Sequence, residues 1–282
     1  MTFLERDSNK STAEAETPAA ISGQVPALID FQNISVMRGE KLALNSLTLR
    51  ISQKEHVAIL GPNGCGKSTL IKTITRECYP LASPDSRITI MGEDRWNVFE
   101  LRLLLGIVSN DLMAICKTHI TGRDIVLSGF FSSVGISSNH RVNPDQLKRA
   151  DAALADVGAL HLADRPLVEM SSGESQRILI ARALVHKPQA LLFDEPSNSL
   201  DLPMQRELRE TMRKLAQSGV GIVLVTHQTA DIIPEIERVV MMRDGRIAGD
   251  GRKEDMLTEE KLSALFGFPA RVNHWDGYCY AW

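Results

Sequence analysis

Gly61-Pro62-Asn63-Gly64-Cys65-Gly66-Lys67-Ser68-Thr69 fits the spacing G-x-x-x-x-G-K-[ST], in which each residue type suits one task at a phosphate chain. Glycines let the backbone curl around an anion with its N–H groups inward, and Lys67 adds a full positive charge. Ser68 offers a hydroxyl to Mg²⁺, and a helix opening at Lys67 aims its positive end at the same anion. A second chemical element is Leu191-Leu192-Phe193-Asp194-Glu195-Pro196, an apolar run that ends in adjacent carboxylates. Side chains alternate along a strand, so Asp194 and Glu195 are expected to divide the work. One can hold Mg²⁺ while the other faces an attacking water. A third is Met170-Ser171-Ser172-Gly173-Glu174-Ser175-Gln176-Arg177 before the apolar stretch Ile178 to Leu184. Taken alone, Ser171-x-x-Glu174 is a helix capping box.

The elements that must carry these residues are legible as periodicities. His56 to Leu60 reads as a short buried strand, and Ser68 to Ile74 as a helix. From Leu28 the chain alternates, with Ile29, Phe31 and Ile34 and then, after Gly39-Glu40, Leu47, Leu49 and Ile51. That pattern predicts an antiparallel sheet before the glycine-rich loop, and Ile88 to Met91 reads as a further short strand. Residues 110–180 read as a helical insertion. Within it Asn143, Pro144 and Gly158 bracket a helix with Leu147, Ala150, Leu154 and Val157 on one face. Ala190 to Phe193 and Gly221 to Thr226 are unbroken apolar runs, which suit strands of a parallel sheet covered on both faces. Met204, Leu208, Met212 and Leu215 form the stripe of a covering helix.

Composition narrows the class. The chain has 282 residues, 43% hydrophobic and 24% charged, as in an ordinary soluble globular protein. A formal net charge of −3 provides no basic field to gather nucleic acid. Cys65, Cys78, Cys116 and Cys279 lack C-x-x-C spacing, which argues against a zinc site or disulfide framework and suits a reducing compartment. Cys65 is expected to be a tolerated small residue of the loop, not a redox switch. No apolar run approaches the roughly 20 residues needed to cross a bilayer. Glu5, Arg6 and Asp7 stand where a secretory signal would be apolar. The expected location is cytoplasmic, with any membrane role acting through a partner.

Together the loop, the Asp-Glu strand end and the Ser-x-Gly-[Glu/Gln] helix start closely resemble the ATP-binding cassette (ABC) ATPases. The resemblance covers about residues 28–250 and implies an α/β fold. That fold has a P-loop NTPase core with a mainly parallel sheet, an N-terminal antiparallel β subdomain and an inserted helical subdomain. The expected organisation is a disordered segment 1–25, a cassette 26–250 and a C-terminal segment 251–282 containing a helix and a hairpin-like aromatic stretch. The resemblance further implies ATP and Mg²⁺ as ligands, with Ser68 and Asp194 on the metal and Glu195 on the water. Ser199-Leu200-Asp201 resembles the family's D-loop, which lines the subunit junction; read alone, it is a turn and helix start before Pro203. His227 resembles the switch histidine at the γ-phosphate. Residues matching Ser171, Ser172, Gly173 and Glu174 face the nucleotide of the opposite subunit, so two chains are implied to sandwich two ATP molecules.

Three positions depart from the family pattern. Asn110 replaces the Q-loop glutamine and reaches one methylene less far. Ser172 and Glu174 stand where glycine and glutamine are usual. Arg38 falls where an aromatic residue stacks on adenine; its plane can stack, or it can serve as a solvated turn residue. A single cassette without membrane spans resembles the energising subunit of a bacterial transporter, implying a separate permease, a solute-binding protein and a position on the cytoplasmic face of the membrane. Val126-Leu127-Ser128-Gly129-Phe130-Phe131 leans toward cassettes of molybdate or iron-chelate uptake. The alternative is a soluble ABC ATPase acting in translation or regulation. Trp275, Tyr278, Tyr280 and Trp282 are expected to form a hairpin packed on the cassette, with Tyr278, Tyr280 and Trp282 on one strand face; a ligand or partner contact is the other reading.

Overall fold

The structure, a computed structural model, describes residues 26–116, 119–198 and 200–282. The segment 1–25 and Ser199, the first residue of the expected D-loop, lie outside the described residues. The alternation starting at Leu28 folds into β1 (Ala27–Arg38) and β2 (Lys41–Ser52), an antiparallel pair that turns at Gly39 with φ 60°. Asn33, with φ 48°, shifts the register between Phe31 and Ile34, which keeps both inward although they are three residues apart. β3 (His56–Leu60) runs into α1 (Lys67–Ile74), and β4 (Arg87–Ile90) pairs with the other edge of β1. Met91 has already left that strand, with φ 51°.

α2 (Val98–Leu104) leads straight into β5 (Leu105–Ser109), and α3 (Asn110–Cys116) starts at the next residue. The helices continue with α4 (Gly122–Ser128), α5 (Pro144–Asp156) and α6 (Ser172–Leu184). Reciprocal capping boxes start two of them, Asn143 with Gln146 on α5 and Ser171 with Glu174 on α6. Ala150, Leu154 and Val157 are buried as expected. Leu147 is exposed, because it sits in the first turn of α5, outside the apolar cluster that the later turns join.

β6 (Ala190–Asp194), α7 (Leu202–Gln217) and β7 (Gly221–Thr226) follow, then β8 (Arg238–Arg243) and β9 (Arg246–Arg252). α8 (Lys253–Met256), α9 (Glu259–Phe266), β10 (Val272–Trp275) and β11 (Tyr278–Ala281) close the chain. One six-stranded sheet has the order β5-β6-β7-β3-β8-β9, parallel except for the edge strand β9. Alternation along its strands feeds two cores. Leu60, Leu191, Phe193 and Leu224 face the side covered by α6 and α7, while Ile59, Leu192, Val223 and Val225 face β1, β2 and α1. Burial on both faces is why these strands read as unbroken apolar runs.

The strand order has a direct consequence for function. Ser109 pairs with Asp194, Asp194 with Val225, and Thr226 with Leu60, so the carboxyl ends of β5, β6, β7 and β3 stand in a row. Ligands of open parallel sheets bind at that edge. Among the described residues no helix is long and apolar enough to cross a membrane.

β10 and β11 form a separate hairpin. The Tyr278 and Tyr280 rings lie together as expected, centroids 6.5 Å apart, but burial does not follow the face: Tyr278 is buried together with its neighbour Cys279, whereas Tyr280 and Trp282 are exposed. The strand is seated by its edge, with the Ala281 N–H donating to Thr229 Oγ1 at 3.1 Å. An edge-seated strand can bury consecutive residues, which simple face alternation does not allow.

Candidate active site

The glycine-rich loop leaves β3 at Gly61 and enters α1 at Lys67. Gly66 caps the helix at φ 111°, and a Cβ there would come within 2.5 Å of the Ala43 carbonyl oxygen. At Gly61 a Cβ would meet the Met242 carbonyl oxygen at 2.3 Å. Both positions therefore require glycine. Pro62 and Thr69 are half-buried, Asn63 and Gly64 are exposed, and Cys65 is buried with its carbonyl accepting from the Gly245 N–H at 2.9 Å. Burial raises the Cys65 thiol above the ordinary thiol range, so it is a poor nucleophile, in keeping with a tolerated small residue.

Lys67 is buried, 4% exposed, yet carries its ammonium to three oxygens. It donates to the carbonyls of Gly61 at 2.8 Å and Pro62 at 3.0 Å, and lies 3.2 Å from Glu195 Oε1. Ser68 Oγ donates to Asp194 Oδ1 at 3.4 Å, so the hydroxyl and the first carboxylate of the β6 end face one another. Burial pushes the Asp194 carboxyl above the ordinary aspartate range, with the adjacent Glu195 charge adding to it and the Ser68 hydroxyl opposing.

Glu195 occupies a left-handed backbone conformation, φ 48°. Such a conformation costs energy in a residue with a side chain and is often found where a function holds it. Four hydrogen bonds hold it: its N–H donates to the Val225 carbonyl at 2.8 Å, its carbonyl accepts from Asn110 Nδ2 at 3.0 Å and from the Asn198 N–H at 3.2 Å, and its Oε2 accepts from Asn198 Nδ2 at 2.6 Å. Burial alone would raise its carboxyl, but the Asn198 amide, Lys67 and His227 together bring it below the ordinary glutamate range. His227 Nδ1 lies 3.2 Å from Glu195 Oε2, out of line for a hydrogen bond. The two carboxylates are thus pushed in opposite directions, an arrangement suited to distinct roles.

The remaining expected residues lie around this centre or away from it. Ser171 and Ser172 are exposed at the start of α6; the Ser171 N–H donates to Glu174 Oε2 at 2.7 Å, and Arg165 pairs with Glu174 Oε1 at 3.2 Å. Glu174 is held as a capping carboxylate, lowered chiefly by that Ser171 N–H. A Cβ on Gly173 would meet Met204 Sδ at 2.1 Å, so glycine there lets α6 pack on α7. Among the described residues no hydrogen bond or ion pair joins Ser171 to Glu174 with the glycine-rich loop or Glu195. Asp201 caps α7 by accepting from the Met204 N–H at 3.0 Å, and Leu200 N–H donates to the Ser197 carbonyl at 3.1 Å. Arg38 ends β1 exposed, its guanidinium donating to Cys78 Sγ at 3.3 Å. Sequence reasoning missed Asn198. Its place three residues after Glu195 carries no signal until the turn brings its amide back onto the carboxylate.

A family model described as ABC transporter matches residues 44–198. The chain belongs to the ABC transporter family. It is 30% identical to the uncharacterized ABC transporter ATP-binding protein YlmA of Bacillus subtilis, over 87% of this chain and 93% of that protein. Identity to the hemin import ATP-binding protein HmuV of Rhizobium meliloti is 32%, over 87% of this chain and 94% of that one. Among solved structures, cbiO1 of Clostridium perfringens, part of the transporter complex cbiONQ, superposes with a TM-score of 0.71 at 26% identity, covering 85% of this chain and 94% of that one. The cassette MJ0796, seen as a dimer after hydrolysis with ADP and Pi, does so with a TM-score of 0.64 at 26% identity, covering 79% and 98%. As an ABC ATPase the chain binds and hydrolyses ATP, and the transport role stands ahead of a translational or regulatory one.

Proposed function

We propose that two copies of this cassette close around two MgATP molecules on the cytoplasmic face of a membrane and drive a separate permease. The observation that carries this reading is the meeting of Lys67, Ser68, Asp194, Glu195 and His227 at one edge of the sheet. Ser171, the other expected phosphate ligand, has its described side-chain contact with Glu174 and not with that edge, which leaves it to serve a second copy. The loop amides and Lys67 hold the β- and γ-phosphates, with Lys67 exchanging Glu195 for the γ-oxygens. Glu195, released toward the phosphate, orients the attacking water and accepts its proton, and His227 donates to the γ-phosphate. Ser171 and Gly173 of the second copy present a helix N-terminus to the developing charge. Leu200 and Asp201 line the junction, and the Arg38 guanidinium stacks on the adenine ring.

A hydroxyl and a carboxylate 3.4 Å apart fit a magnesium ion that arrives on a triphosphate, and no group of three His, Cys, Asp or Glu among the described residues suits an all-protein metal cage. Ser68 and Asp194 would hold that ion, which neutralises phosphate charge when bound. Residues 26–250 form the cassette in this reading and 251–282 an appended segment. The permease chooses the solute, and the hemin import relatives make an iron-chelate importer with a solute-binding protein the first class to test. Solubilised membranes carrying the tagged chain are expected to yield a polytopic permease at stoichiometric level. Stable co-sedimentation with ribosomes and no permease would overturn the proposal.

A further inference from the structure

Asp231 follows His227 by one turn of 3₁₀ helix, Thr229–Asp231, and is 1% exposed. Ser197 Oγ donates to its Oδ2 at 2.5 Å, and Thr226 Oγ1 donates to the same oxygen at 2.9 Å. The Thr226 hydroxyl also accepts from the Gln228 N–H at 3.0 Å, and of its two acceptors the Asp231 oxygen is nearer than the Gln228 carbonyl at 3.4 Å. Ser197 lies two residues after Glu195, and Thr226 immediately precedes His227. One carboxylate oxygen therefore ties the loop of Glu195 to the strand end that carries His227.

Its other oxygen, Oδ1, is buried without a hydrogen-bond partner among the described residues. Burial pushes this carboxyl above the ordinary aspartate range, with the two hydroxyls, Arg209 and His227 opposing. Folding alone is better served by a neutral or apolar residue where a carboxylate is desolvated and half satisfied. The turn is also held from outside, where Thr229 Oγ1 accepts from the Ala281 N–H of β11. Neither side-chain tie is made to a residue of the glycine-rich loop, although the Thr226 main-chain carbonyl accepts from the Gly61 N–H at 3.3 Å.

We infer that Asp231 is a positioning residue for hydrolysis, acting through Ser197 and Thr226 to set the separation of Glu195 and His227. The inference rests on the reading of those two residues at the γ-phosphate. It predicts a loss confined to the chemical step. Nucleotide is gripped by the loop between β3 and α1, whereas the Asp231 carboxylate acts through the hydroxyls of Ser197 and Thr226, beside Glu195 and His227.

Full-length Asp231→Asn, Thr226→Val and Thr226→Ser, with Glu195→Gln in parallel, are compared with wild type for the kcat and KM of ATP hydrolysis. Asp231→Asn and Thr226→Val are expected to lose about 10- to 100-fold in kcat, the scale of a small misplacement of catalytic groups, with KM within about twofold. Thr226→Ser keeps the hydroxyl and is expected to keep wild-type kcat. Wild-type kcat in Asp231→Asn overturns the inference. Should that variant not fold, wild-type kcat in Thr226→Val, or equal losses in the Val and Ser variants, does so instead. If Glu195→Gln is inactive while Asp231→Asn is fully active, the positioning role alone fails; a fully active Glu195→Gln removes the reading beneath it.

Discussion

Asn110 Nδ2 donates to the main-chain carbonyl of Glu195 at 3.0 Å, joining the first residue of α3 to the residue that ends the Asp-Glu strand. The bond reaches across the β5–β6 pair, whose last rung is Ser109 with Asp194. It steadies Glu195 where its backbone is left-handed, at φ 48°. The shorter amide at this family position is therefore fitted to its partner.

Restoring the family residue by Asn110→Gln is expected to lower turnover, not raise it. The added methylene carries the amide past the Glu195 carbonyl, and a shift of the base by a fraction of an ångström suffices for a loss of about tenfold. Steady-state phosphate release measures this. An Asn110→Gln enzyme faster than wild type would contradict the fitted-amide account.

Glu195→Gln retains the shape of the side chain and removes the base. Its kcat is expected to fall by about 10²–10⁴-fold, the usual contribution of a positioned base, while ATP binding persists. Equilibrium binding of ATP beside turnover separates the two effects. Wild-type turnover would strip Glu195 of that role.

Lys67→Ala removes a buried ammonium that meets three oxygens. Charge-assisted hydrogen bonds contribute about 1.5–3 kcal/mol each, so ATP affinity is expected to drop at least about tenfold. Titration with a fluorescent nucleotide gives the answer, and an unchanged Kd would dismiss the phosphate assignment.

Asp194→Asn is expected to stabilise the protein while disabling it. The Asp194 carboxyl is raised in the fold, so the folded chain holds its proton more tightly than the unfolded chain does. Its contribution to stability is fully present below the ordinary aspartate range, about pH 3.9, and is lost as pH rises through the raised value. Asparagine mimics the protonated form, so its Tm advantage over wild type should be absent at acid pH, grow across that window and level off above it. A higher Tm than wild type at neutral pH is the expected result. A Tm difference independent of pH would mean that desolvation of this charge is not its source.

Truncation after Ala270 removes Tyr278 and Cys279, both buried, together with the Ala281 bond to Thr229. A buried aromatic side chain stabilises by about 1.5–3 kcal/mol, so Tm is expected to fall by roughly 4 °C or more. Thermal unfolding of the truncated chain with an unaltered Tm would show that the hairpin is not a packing element.

Much of the site was legible because its signals are local. Gly61 to Thr69 is one loop whose backbone demands fall on adjacent residues, and the N-cap at Asn143 and the capping box from Ser171 to Glu174 are patterns within four residues. Phe31 and Ile34 were correctly placed inward, although the bulge at Asn33 that makes this possible left no sequence mark. The alternation at Tyr278 and Tyr280 placed their rings near one another, 6.5 Å apart, on a hairpin that packs on the cassette, but it did not show that Cys279 is buried as well. Asn198 and Asp231 gave no signal: an amide or carboxylate in a polar turn is ordinary until the turn places it.

By itself the sequence determined the phosphate-loop chemistry, the pairing of a Ser68 hydroxyl with an acidic strand end, and a sheet buried on both faces. These follow from rules of backbone conformation and periodicity that act over a few residues. The tertiary structure alone decided that β7 lies between β3 and β6, which brings His227 against Glu195, and that Asn110, Asn198 and Asp231 hold those groups in place. Strand order and hydrogen bonds between distant loops depend on how whole faces pack, and no short window of the chain encodes that.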